Sequence, residues 1–247
     1  MTVDLAAAER KVYSQNGEDG VLEAILAEVG APGQWFVEFG TETGVEVNCR
    51  LLAEQGWSGL FMEGDPAAAA ALAETYRSQP AVQTRQAIVT PEVLEALLDE
   101  AGVPAEPDVF VIDVDSIDWF VWEALRRRPR VVVMEYNASL PLAGTFTQPR
   151  EHTGWDGTDY FGASLGAFEW LAARRGYRLV HTERCGVNAF FVREDLPGAV
   201  LLPSGAAVVR NPPNYFDTGT GHPPDPADRP YLDVATRQLV ARSAMRV

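Results

Sequence analysis

Hydrophobic positions change period repeatedly between residue 17 and about residue 194, and this alternation predicts an α/β fold. From Glu18 to Val29, the residues Val21, Leu22, Ile25, Leu26 and Val29 recur at helical spacing. Glu18 and Asp19 fall in the first turn and Gly30 is a stop signal. Trp35 to Phe39 reads as a short strand opening into Gly40-Thr-Glu-Thr-Gly44, after which Asn48 is an N-cap for a helix carrying Leu51, Leu52 and Gln55. Gly59 to Glu63 is the second strand, and Asp65-Pro66 sets a cap ahead of proline at the first helical position. A third strand, Val82 to Val89, ends at Thr90-Pro91, which starts a helix through Leu94, Leu97 and Leu98. Asp108 to Asp115 is almost unbroken in its apolar character, as a central parallel strand buried on both faces requires. A helix from Asp118 to Arg128 and a strand from Arg130 to Glu135 follow. Strand ends near 38, 63, 88, 114 and 135 match successive right-handed βα units.

The rhythm stops after Glu135. Residues 137–162 contain Pro141, Gly144, Pro149, Gly154, Gly157 and Gly162, and a loop of that length in a domain is usually functional or mobile. Ser164 then caps a helix running to Gly176. Tyr177 to Thr182 and Val187 to Val192 flank a turn at Cys185-Gly186, too short for a parallel crossover, so they predict an antiparallel hairpin. Residues 203–230 hold seven of the 17 prolines and read as an extended cover, with a terminal helix expected from Tyr231 to Met245. The expected division is a domain over residues 1–200 and an extension over 201–247.

Composition narrows the partners. The 247 residues, 47% of them hydrophobic, suffice for one sizeable core. Twenty basic residues against 35 acidic ones leave a formal charge of -15, which opposes phosphate backbones and anionic lipid. Neither nucleic acid nor membrane is expected as a partner, whereas a homo-oligomer is left open. The start, MTVDLAAAERK, lacks the apolar core of a signal peptide, and Cys49 and Cys185 form no disulfide or zinc pattern, so a cytoplasmic location is expected. Lys11 is the single lysine. Proton transfer therefore falls to carboxylates, His152, His181, His222, tyrosines or a metal.

In an open α/β sheet ligands bind beyond the carboxyl ends of the strands, which selects three groups of residues. Glu38 leads into the Gly40 to Gly44 loop, where glycine permits close backbone approach and the next helix offers free N–H groups; its spacing differs from the dinucleotide G-x-G-x-x-G. Glu63, 25 residues later, stands where a carboxylate can accept both ribose hydroxyls of an adenosine-type ligand. Asp113, Asp115 and Asp118 after strand four face Glu135 and Asn137 after strand five. Strands about 4.8 Å apart would let these converge on a hard cation such as Mg²⁺. The other reading has Asp113 meeting a cofactor ammonium while Asp115 and Asp118 cap the next helix. Arg126, Arg127, Arg128 and Arg130 complement a helix C-terminus. Trp155 to Tyr160 reads as a substrate lid or a packed loop anchor, His152 as a general base or a solvated surface side chain, and the polar stretch Tyr13 to Asp19 as a capping motif or a cofactor lid.

Taken in order, Tyr13-Ser-Gln-Asn-Gly-Glu-Asp-Gly20, Phe36-Val-Glu-Phe-Gly40, Gly56 to Asp65, Val111-Ile-Asp-Val-Asp115, Val133-Met-Glu-Tyr-Asn137, Trp155 to Thr158, Tyr160 to Leu165 and Gly186 to Phe191 form a recognisable series. The chain resembles the FkbM-like branch of the class I S-adenosylmethionine-dependent methyltransferases. That resemblance implies a Rossmann-like sheet in order 3-2-1-4-5-7-6, strand seven antiparallel, with helices on both faces. It implies that Glu38, Gly40 and Gly44 hold the methionine part of S-adenosylmethionine and that Glu63 grips the ribose, with Gln15, Thr41 and Asn48 as further cofactor-binding residues. Gly64, Asp65 and Ile88 would lie near adenine and Asp113 near the methionine amino end. Asp113, Glu135 and Asn137 would form the cation site of metal-dependent relatives, with Asp115 or His152 taking the acceptor's proton. The expected activity is methyl transfer to a small-molecule oxygen in secondary or glycan metabolism. Non-methyl chemistry on the same cofactor, a nicotinamide oxidoreductase and a non-catalytic binding module are the alternatives.

Overall fold

Val109 to Ile112 forms a strand with every side chain buried, and it becomes the middle of a seven-stranded sheet. In this computed structural model, which describes residues 2–152 and 154–245, the first five strands are β1 (Trp35–Phe39), β2 (Ser58–Glu63), β3 (Val82–Gln86), β4 (Val109–Ile112) and β5 (Val131–Glu135). A two-residue β6 (Phe146–Thr147) precedes the hairpin of β7 (Tyr177–Thr182) and β8 (Asn188–Arg193). The sheet order is β3-β2-β1-β4-β5-β8-β7, with β8 antiparallel to both β5 and β7. Apart from the number that β6 adds, this is the expected Rossmann-like order.

The period-2 pattern explains the two cores. On one face of the sheet Phe36, Phe61, Val109, Val111, Val131 and Val133 pack against α2 (Glu18–Val29), which follows the short α1 (Leu5–Ala8), and against α3 (Arg50–Glu54) and α4 (Pro66–Thr75). On the other, Val37, Phe39, Phe110, Ile112, Val132 and Met134 pack against α5 (Leu94–Glu100), α6 (Asp118–Ala124) and α7 (Leu165–Arg175). Trp122 anchors the second core, its ring 5.1 Å from Phe191, 5.9 Å from Tyr177 and 6.2 Å from Phe168.

Several local expectations are corrected. The terminal helix is absent: β9 (Pro230–Asp233) and β10 (Gln238–Ala241) form a hairpin, and β9 pairs with β6 in a second, three-stranded sheet. Asp233 makes the turn, its carboxylate accepting from Ala235 N and Thr236 Oγ1, while Arg237 adopts the left-handed φ of +62°. Asn48 does not cap α3, because Glu38 takes both its N–H and its amide. Helix α6 stops at Ala124 rather than Arg128, as a proline at 129 disfavours helical backbone just before it. The freed arginines brace the fold: Arg127 pairs with Glu95 and Asp99, and Arg130 donates to the carbonyls of Val29 and Gly30.

Trp122→Ala is expected to destabilise the chain by about 3–5 kcal/mol in urea unfolding. Trp122→Phe should cost far less, since the indole N–H is buried without a partner and its loss removes an unsatisfied donor.

Candidate active site

The carboxyl ends of β1, β2, β4 and β5 and the first residue of β8 open onto one cavity of about 650 Å³. Glu38 organises its floor. Its Oε1 accepts from Asn48 N at 2.8 Å and Asn48 Nδ2 at 3.1 Å, and its Oε2 from Cys49 N at 2.8 Å, tying the loop after Gly40 back onto β1. Gly40 itself, at φ +66°, has no space for a side chain: a Cβ would lie 1.7 Å from the Asp113 carbonyl oxygen. The close approach of the loop to the end of β4 therefore requires glycine.

Glu63 closes the opposite end. Its Oε2 accepts from Glu42 N at 2.7 Å and its Oε1 from Asp65 N at 2.8 Å, which fixes a half-buried carboxylate at the cavity wall beside Gly64 and the exposed apolar Ile88. Asp118 sets the third wall. Buried at the start of α6, it accepts from Val114 N at 2.7 Å and Ser116 N at 3.0 Å, folding residues 113–118 into a turn that holds Asp115 at φ +59°.

Asp113, Asp115 and Glu135 offer carboxylate oxygens that all lie within 4.8 Å of one another. Burial pushes Asp113 and Glu135 well above the usual carboxylate range, and the neighbouring carboxylates push both the same way. Burial also raises Asp115, with the Glu42 carboxylate adding to it and His222 opposing. Across the β5–β8 ladder, Asn188 stands directly opposite Glu135. Its Nδ2 donates to Glu18 at 2.8 Å, leaving its Oδ1 buried without a partner; the Oδ1 of Asn48 is in the same condition. Both asparagines line the cavity.

Gln15, Glu38, Gly40, Thr41, Asn48, Glu63, Gly64, Ile88, Asp113, Asp115 and Glu135 are thus brought together as expected. Four candidates are not. Gly44 faces helix α4, where a Cβ would meet Leu72 and Tyr76 at 2.6 Å. Asp65 caps α4, accepting from Ala67 N and Ala68 N. Asn137 is fully buried with its amide donating to the carbonyls of Asp159 and Phe161 and its Oδ1 accepting from Ser139 N, so it has no ligand atom for a cation. His152 is exposed, its ring 5.7 Å from Tyr160, and does not line the cavity.

One residue of the wall, Asn188, was missed, and His222 was named only as one of several proton-transfer candidates without a place. Asn188 lay inside the quoted Gly186 to Phe191 motif, and its position opposite Glu135 was the available signal. His222 lay in the proline-rich segment with no local pattern; its ring packs 4.4 Å from Trp155, 4.8 Å from Tyr215 and 5.6 Å from Phe161. Burial lowers its pKa, with the carboxylates of Asp115 and Asp159 opposing.

The buried acids leave a thermodynamic signature. Burial raises Glu38, Asp118 and Glu183 to about 7, so between their ordinary values near 4 and about pH 7 the folded chain binds more protons than the unfolded one. Their contribution is fully present at the acid end and is lost as pH rises through about 7. Urea midpoints should accordingly be higher at about pH 5 than at about pH 7.5; a flat or rising profile would contradict this electrostatic description.

No family model and no curated protein matches the chain. Among solved structures, it is similar to the N-terminal domain of EvdMO1 with S-adenosylhomocysteine bound, at 17% identity and a TM-score of 0.45 over 73% of this chain and 80% of that one. It is also similar to the magnesium protoporphyrin IX methyltransferase ChlM from Synechocystis PCC 6803 with bound S-adenosylmethionine, at 13% identity and a TM-score of 0.45, covering 71% and 77% of the two chains. The CurJ carbon methyltransferase matches at 10% identity and a TM-score of 0.46, over 70% of this chain and 52% of that one. The roles of individual residues rest on this chain's own geometry.

Proposed function

We propose that the chain is an S-adenosylmethionine-dependent methyltransferase of the FkbM-like kind, acting on an oxygen of a small-molecule acceptor. The observation that carries the reading is the placement of Glu63. Its carboxylate is fixed by two backbone N–H groups at the end of β2, across the Gly40 loop from Glu38 and Asp113, within one cavity. A carboxylate there accepts from the two ribose hydroxyls, Ile88 and Gly64 offer an apolar surface to adenine, and the methionine arm reaches towards Glu38 and Asp113. The residues fit the cofactor: Asn48 and Asn188, both in the cavity wall, carry amide oxygens without a partner, and carboxylates suited to a cationic ligand line much of the rest.

When bound, the cofactor supplies an electrophilic methyl group on a sulfonium leaving group. The protein's part is then to align the acceptor, exclude water and receive one proton. An oxygen acceptor that takes the methyl group would give up its O–H proton, which the Asp113, Asp115 and Glu135 cluster would accept. Asp115, the exposed member, is the group placed to receive it. The same three carboxylates also suit a hard cation such as Mg²⁺, which would lower the acceptor's pKa.

Calorimetry should show S-adenosylmethionine binding and no NAD binding, and Glu63→Ala should weaken the cofactor by at least about tenfold. Wild-type affinity in that variant removes the ribose assignment. Asp65→Ala serves as the contrast: loss of the cap costs about 1 kcal/mol of stability with cofactor affinity retained. Mass spectrometry of the products, methylated acceptor with S-adenosylhomocysteine against methylthioadenosine, separates methyl transfer from transfer of the aminocarboxypropyl arm, and activity untouched by EDTA removes the metal.

A further inference from the structure

The polar stretch Tyr13 to Asp19 does more than start a helix. Gly17 stands at the N-cap of α2 and has no side chain to cap with, while the first two residues of the helix, Glu18 and Asp19, turn back onto the loop. Asp19 Oδ2 accepts from Ser14 N at 2.7 Å, and also from Val12 N, Tyr13 N and Ser14 Oγ. Glu18 Oε2 accepts from Asn16 N at 2.8 Å. The residues on either side of Gln15 are thus pinned by two acids that are 0% and 1% exposed, whereas Gln15 itself is exposed and lines the cavity. The loop is also tied sideways. Glu18 accepts from Asn188 Nδ2 at 2.8 Å, and the Arg50 guanidinium lies over the Tyr13 ring at 4.4 Å, so Gln15 stands at the end of the cavity formed by Asn188 and Asn48.

Three residues of the cavity wall carry a side-chain N–H, namely Gln15, Asn48 and Asn188, and among the described residues that line it there is no lysine, arginine or histidine. The Asn48 nitrogen donates to Glu38 and the Asn188 nitrogen to Glu18. Gln15 accepts at Oε1 from Asn16 Nδ2, and its own Nε2 donates to none of the described residues. We propose that Gln15 seats the carboxylate at the end of the methionine arm, with Nε2 donating to a carboxylate oxygen. The inference rests on the methyltransferase reading and deepens it by naming the group that selects for the amino-acid end of the ligand. In a wall rich in acids, a lysine or arginine at this place would be taken up by its neighbours, whereas a neutral amide stays available. A hydrogen bond to a charged acceptor is stronger than one between neutral groups, and without it the ligand's carboxylate would face like charges alone.

Calorimetry on the full chain compares S-adenosylmethionine with decarboxylated S-adenosylmethionine, which keeps the adenosine, the sulfonium and the amine and lacks only the carboxylate. The wild type should bind S-adenosylmethionine at least about tenfold more tightly than the decarboxylated ligand. In Gln15→Ala that preference should fall to about twofold or less while the decarboxylated ligand binds as before, and in Gln15→Glu, which puts a like charge in the same space, it should invert. Both variants change an exposed side chain and leave the pinned backbone intact. No preference in the wild type, a preference that Gln15→Ala leaves unmoved, or an equal loss of both ligands in that variant overturns the inference alone. Binding of neither ligand to the wild type overturns the methyltransferase reading and the inference with it.

Discussion

The fold's ligand edge depends on one buried carboxylate, Glu38. It is 3% exposed, and three donors from Asn48 and Cys49 meet its two oxygens. Without those bonds the chain between Gly40 and Cys49 would have nothing on β1 to fold against, and the floor of the cavity would be lost. Burial raises its pKa to about 7 despite the bonds, which shows that desolvation outweighs them. Asp118 repeats the device at the end of β4, again using a buried carboxylate to collect backbone N–H groups from a turn. The site is thus shaped by acids before any acid in it does chemistry.

This arrangement divides the acidic residues into two kinds. Glu38, Asp118 and Glu183 spend their oxygens on backbone N–H groups and hold loops in place. Asp113, Asp115 and Glu135 crowd together with little to accept from, and their mutual repulsion makes the wall responsive to any positive charge. Crowding of this sort is unfavourable in the empty protein. Packing alone would favour apolar or paired groups at these positions.

Much of the sheet was legible because its causes are local. Period-2 apolar runs bounded by glycine, Asp65-Pro66 and Ser164 as caps, and a four-residue turn at Cys185-Gly186 each determine a single element, and the strand order follows from chirality and connection length. The tail was not legible. Tyr231, Leu232, Val234, Leu239 and Val240 do not distinguish a helix from a hairpin, and the outcome is decided by pairing of β9 with β6, more than 80 residues earlier. At the site, strand-end reasoning located Glu38, Glu63, Asp113 and Glu135, whereas Asn137 failed because a buried amide satisfied by three backbone groups looks the same in sequence as a free one. His222 was named as a proton-transfer candidate but could not be placed, since only tertiary packing carries it to Trp155.

The small second sheet separates what the two halves of the chain can vary. Tyr231 Oη donates to the Asp159 carbonyl, Arg242 reaches Ser139 O and the Asp159 carboxylate, and Arg229 clasps Asp156 and Asp225, so the loop over residues 137–162 is held by the last fifth of the chain. None of these bonds touches Glu38 or Glu63. Mutations in the tail can therefore re-aim that loop while the strand-end carboxylates keep their geometry, so one wall of the molecule is free to drift without disturbing the other.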